Sequence, residues 1–133
     1  MTDPREMVSV RYIVDDVETS VAFYTKLLGF KVLTSFAPAF ADVARGSLRL
    51  LLSGPTSSAG RSMPDGAKPQ PGGWNRIHLI VDDIETEVAR LRHAGARFRN
   101  DILSGPGGKQ LLLLDLSRNV VELFEPAALT TGR

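Results

Sequence analysis

The chain contains no cysteine and only two histidines, so its chemistry has to be built from imidazole, carboxylate and guanidinium groups. Disulfides, thiolate metal sites and cysteine nucleophiles are excluded at once. His93 stands late in a helical pattern among Arg90, Arg92 and Arg97 and reads as a solvated helix-end cation. His78 is different. It lies two residues beyond Arg76 in a strand-like stretch, and alternate residues of a strand share a face. It could be a polar group lining a cleft beside Arg76, a metal ligand or a buried structural histidine. Ser9 and Arg11 repeat the same spacing earlier in the chain. Other chemistry is hard to build. No serine sits in a nucleophile-elbow context, and SGPGGK at 104–109 joins two strand patterns, which removes a phosphate-binding loop. The pairs Asp15-Asp16 and Asp82-Asp83 read as helix caps, not as an acid–base dyad.

The elements that must position these groups come in two copies. Residues 13–22 read IVDDVETSVA and residues 80–89 read IVDDIETEVA, with eight of ten positions identical at an offset of 67. Such self-similarity marks an internal repeat. By the same offset, Ser9 corresponds to Arg76 and Arg11 to His78. In each copy a strand pattern (8–14, 76–81) leads into an aspartate pair, with a glutamate three residues after the first aspartate. Apolar residues then recur at helical spacing: Val17, Val21, Tyr24 and Leu28, and again Ile84, Val88, Leu91 and Ala94. Phe23 and Tyr24 read as core, and Gly29 and Gly95 as left-handed helix ends. Strand patterns follow over 30–35, 39–44 and 48–53, and over 97–103, 110–115 and 120–125. Each half is β-α-β-β-β, an α+β arrangement. Between them, residues 54–73 form a turn-rich connector, either a solvated linker or a lid over a cleft.

At 133 residues, with 43% hydrophobic and 23% charged, the chain has the length and composition of one globular domain. Sixteen basic residues against fifteen acidic leave no basic footprint for nucleic acid or an anionic membrane surface. No apolar run approaches the roughly 20 residues of a membrane-spanning helix, and the first residues lack a secretory pattern. The expectation is a soluble cytoplasmic protein.

The segments VDDVETSVAFYTKLLGF (14–30), VDDIETEVARLRHAGA (81–96) and LLDLSRNVVELFEP (113–126) resemble the vicinal oxygen chelate superfamily, the glyoxalase, bleomycin-resistance and extradiol-dioxygenase-like proteins. The resemblance implies a single domain over 1–133, with modules at about 7–54 and 74–126 pairing curved mixed sheets around a cleft, and a homodimer. Metal-dependent members place ligands at four positions. Here these carry Ser9, Leu50 or Leu51, Arg76 and Glu122, of which Glu122 alone matches the usual ligand types. A divalent cation needs three or more protein donors, and an arginine at one position repels it. Glu122 with His78 is the weak alternative.

The implied function is therefore binding rather than chemistry. The expectation is a bleomycin-resistance-type protein with no cofactor. It would take up a partly aromatic, anionic small molecule through Ser9, Arg11, Trp74, Arg76, His78, Glu122 and Phe124, a role of the kind used in antibiotic resistance. In this reading Arg76 and Glu122 form an ion pair in place of a metal contact, and Phe36 and Phe40 help wall the cleft. Two alternatives remain open: a metal-dependent lyase, isomerase or dioxygenase using Glu122 and His78, and a metal-free enzyme with His78 or Glu122 as general base. Fold resemblance does not choose among them.

Overall fold

Each helix begins where an aspartate side chain replaces a missing backbone partner. Asp16 Oδ1 accepts from the Thr19 N–H at 3.0 Å and Asp83 Oδ1 from the Thr86 N–H at 3.1 Å. These caps open α1 (Val17–Leu27) and α2 (Ile84–His93). The second aspartate of each pair is the cap, so Glu18 and Glu85 do not close a capping box. They lie in the first turn, where the helix dipole favours negative charge. Gly29 (φ +73°) and Gly95 (φ +87°) take the left-handed conformation just past the helices.

The structure, a computed structural model, describes residues 3–128. Of these, residues up to Gly73 together with Leu116–Asn119 form one unit, and the remainder forms a second.

The first unit holds a short 3-10 turn and the strands β1 (Val8–Ile13), β2 (Lys31–Phe36), β3 (Phe40–Arg45) and β4 (Leu48–Ser53). Their order is β1-β4-β3-β2, with β1 parallel to β4 and the other pairs antiparallel. Alternation sends Leu50, Leu52, Val43 and Ala41 to one side, where they are buried together with Val17, Phe23 and Tyr24 of α1. The Tyr24 ring meets Phe23 and Phe30 edge-on at 5.1 and 5.5 Å. The connector belongs to this unit and is held by its own turns. Ser57 Oγ donates to the Gly54 carbonyl and the Met63 N–H to the Ala67 carbonyl, both at 2.7 Å.

Residues 116–119, inside the second repeat, belong to the first unit. Buried Asn119 donates from Nδ2 to the Ile13 carbonyl and accepts the Gly72 N–H at Oδ1, both at 2.8 Å. The Asp15 N–H donates to Ser117 Oγ at 2.9 Å.

The second unit contains β5 (Ile77–Ile80), β6 (Arg97–Phe98), β7 (Leu103–Gly105), β8 (Gly108–Leu114) and β9 (Val120–Pro126). The order is β5-β9-β8-β6, with β7 also pairing β8 and β5 parallel to β9. Ile84, Val88 and Leu91 of α2 are buried with Leu79, Leu111, Leu113, Val121 and Leu123. The single strand expected over 97–103 is two short ones. Asn100 Oδ1 accepts the Leu112 N–H at 3.0 Å, so a side chain takes a place that the sheet ladder would otherwise fill. Among the described residues, no helix is long and apolar enough to cross a membrane.

The backbone N–H of Thr86 holds the Asp83 carboxyl below the usual carboxylate range. A depressed folded-state pKa means that the cap's contribution is complete above the unfolded pKa and fades as pH falls through the folded one. Thermal unfolding should therefore lose more stability between about pH 5 and pH 3 in the wild type than in Asp83→Ser, whose hydroxyl cap does not titrate. Parallel pH profiles of Tm would contradict this.

Candidate ligand-binding site

The face of the second sheet away from α2 is organised by strand register. Parallel pairing of β5 with β9 sets His78 beside Glu122, and antiparallel pairing of β9 with β8 sets Glu122 beside Leu112. The next row places Ile80, Phe124, Gln110 and Leu103 side by side across β5, β9, β8 and β7. Residues opposite each other in a ladder share a face, and successive rows are about 7 Å apart.

Glu122 sits at the centre of the first row and is 7% exposed. Its Oε1 meets Arg76 Nε at 3.0 Å and its Oε2 meets His78 Nε2 at 3.4 Å. Two cation-capable groups thus bracket one buried carboxylate, which is how such a charge is kept from being costly. Arg76 also donates from Nη1 to the Trp74 carbonyl at 3.3 Å, while the Arg99 guanidinium lies 4.0 Å from the centre of the Trp74 ring. That stacking places a cation on the negative face of an indole that is 64% exposed. On the other side of Glu122, the His78 and Phe124 rings lie 4.9 Å apart. Trp74, Arg76, Arg99 and Asn100 enclose, with Leu103, Gln110 and Leu112, an open pocket of about 210 Å³.

Five of the expected site residues, Trp74, Arg76, His78, Glu122 and Phe124, therefore gather on this face of the second unit. Ser9 and Arg11 lie on β1 of the first unit, both exposed, and Arg11 Nη1 donates to Ser53 Oγ at 2.9 Å. Phe36 is 68% exposed on the edge strand β2, and Phe40 is its cross-strand partner. His93 is exposed in the last turn of α2, as its arginine neighbours suggest. Register also relates Leu50 and Leu51 to the second repeat. Leu51 pairs with Arg11 as Glu122 pairs with His78, whereas Leu50 is fully buried on the helix side.

Sequence reasoning missed Arg99, Asn100, Leu103, Gln110 and Leu112. The run Leu111–Leu114 hides the alternation that would have marked Gln110 and Leu112 as outward-facing. It also missed a polar pair on the corresponding face of the first sheet. Asp42, 2% exposed, takes Arg49 Nε at 2.7 Å on one oxygen, while its Oδ1 is buried without a hydrogen-bond partner.

Residues 6–123 match the model of the Glyoxalase/Bleomycin resistance protein/Dioxygenase superfamily. The chain belongs to this superfamily. No curated protein matches it in sequence. A superfamily member from Sphaerobacter thermophilus DSM 20745 is 28% identical, with a TM-score of 0.72 over 90% of this chain and 95% of that one. TnmS3, an antibiotic binding protein from Streptomyces sp. CB03234, is 23% identical with a TM-score of 0.70, covering 96% and 98%. Lactoylglutathione lyase from Agrobacterium tumefaciens is 20% identical with a TM-score of 0.68, covering 93% and 96%. The last two likenesses carry the glyoxalase fold alone.

The residues at the four superfamily metal positions do not fit a divalent cation. Ser9 and Arg76 occupy two, Leu51 a third, and the carboxylate at the fourth, Glu122, is already ion-paired with Arg76. Among the described residues, no group of three or more His, Asp or Glu side chains is placed to hold a metal ion.

The two buried carboxylates paired with arginine, Asp42 and Glu122, make contrasting stability predictions. Arg49→Ala leaves Asp42 buried and uncompensated and should cost about 3 kcal/mol in urea unfolding. Arg76→Leu should cost less, about 2 kcal/mol, because His78 remains beside Glu122. Equal losses would show that His78 does not share the charge.

Proposed function

We propose that the protein binds an aromatic, anionic small molecule on the open face of the second sheet, without a metal ion, in the manner of a bleomycin-resistance-type binding protein. The observation carrying this reading is the state of Glu122. Its carboxylate is neutralised by Arg76 and flanked by His78, so it is not a free ligand for a cation. Beside it, Trp74, Leu103 and Leu112 offer apolar surface, while Arg76 and Arg99 outnumber the single acid. An apolar and aromatic pocket with a few placed cations suits a planar acid. The likeness to an antibiotic binding protein supports sequestration as the biological use. The proposal includes a homodimer in the cytoplasm, for which sedimentation of the purified protein is the direct check.

Trp74 is the only tryptophan, so its fluorescence reports on the pocket directly. After dialysis against a mild chelator, benzoate or 2-naphthoate should change that fluorescence saturably, and Arg99→Ala should weaken binding about tenfold, the loss of one charge-assisted contact. Add-back of nickel, zinc, manganese or iron(II) should leave the protein with far less than one ion per chain. Retention of one ion per chain, lost in Glu122→Gln and His78→Ala, would overturn the proposal and favour a metal-dependent lyase or dioxygenase.

A further inference from the structure

A second cavity of about 170 Å³ adjoins the first on the same face. It is walled by Phe124 and by the Gly105–Gly108 turn, and the two cavities share Leu103 and Gln110. The join has a structural cause: Leu103 and Gln110 are cross-strand partners, and Phe124 is the partner of Gln110 on its other side. Each cavity by itself is smaller than the roughly 300 Å³ at which sites for drug-sized ligands begin. Side by side, they offer three chemical zones. Trp74, Arg76 and Arg99 give an aromatic and cationic end. Phe124 and the bare glycine turn give an apolar end. The Gln110 side chain lies between them, half-buried and with no hydrogen bond to another described residue. A carboxamide has two donors and an acceptor to satisfy, and this residue lines both cavities.

We infer that the two cavities together hold an elongated ligand: an aromatic acid at the Trp74 end, a polar link such as an amide over Gln110, and a second ring against Phe124. Gln110 is then the specificity-determining residue of the site. This rests on the reading of the same face as a binding surface for aromatic anions. The linear zoning also excludes a compact ligand as the best fit, since a single ring leaves either Gln110 or Phe124 uncovered.

Three probes separate the two readings: benzoate, 4-benzamidobenzoate with two rings joined by an amide, and 4-(2-phenylethyl)benzoate with the same span and no polar link. By Trp74 fluorescence, 4-benzamidobenzoate should bind at least tenfold more tightly than benzoate, and several-fold more tightly than the hydrocarbon-linked probe. Gln110→Leu should abolish the preference for the amide-linked probe over the hydrocarbon-linked one. Gly107→Val blocks the second cavity. A Cβ built on Gly107 has no neighbour closer than Phe124 Cζ at 3.9 Å, so the variant should fold and should bind only benzoate normally. Equal affinity for all three probes, unaffected by either substitution, would overturn the inference while leaving the proposed function standing. Failure of every probe to bind would overturn both.

Discussion

In the second unit, the four residues of β5 run parallel to Val121–Phe124 of β9, and the open face takes its arrangement from that register. Parallel neighbours cannot be joined by a tight turn, so the chain crosses over through α2 and three further strands before it returns. Residues 46 positions apart, Arg76 and Glu122, meet as a result. A slip of one residue would exchange the faces of a strand, sending His78 toward α2 and Leu79 outward. The burial of Ile77 and Leu79 against the helix side resists that slip. The core thus holds the polar site in register: apolar burial on one face dictates which polar groups meet on the other.

The repeat shows how one architecture carries two chemistries. Both units pair their first and last strands in parallel, and the open face of each includes one buried acid paired with one arginine. The acid has changed strand, however. In the second unit it is Glu122 on β9, whose counterpart in the first is Leu51, and in the first it is Asp42 on β3, whose counterpart in the second is Leu112. Burying a charge is tolerated only with a partner, so each acid is tied to its own arginine: Asp42 to Arg49 and Glu122 to Arg76. The open face of each sheet thus keeps its buried acid by an internal ion pair, on a different strand in each unit.

Much of this was legible in the sequence because it depends on local chemistry. Aspartate caps, helical spacing and glycine ends are decided within one or two turns, and they recur at the same offset in both copies. Arg76 and His78 were recognisable as face-sharing neighbours because strand alternation is also local. Glu122 was placed through the repeat and the superfamily pattern. By contrast, Asn100 breaks a strand by bonding to Leu112, twelve residues away, and Asn119 ties a loop of the second repeat to Ile13, 106 residues away. No spacing rule encodes either bond.

The sequence by itself determined the duplicated order of strand, capped helix and following strands, except for the break at Asn100, together with the helix starts and the scarcity of metal-ligand types, since each follows from residue identity and short-range periodicity. Only the tertiary structure decided that Leu51 is the counterpart of Glu122, that Arg99 stacks on Trp74, and that Leu103, Gln110 and Phe124 line up across three strands. Those facts depend on register between strands far apart in the chain, and register is set by how apolar faces pack, which a linear pattern leaves open.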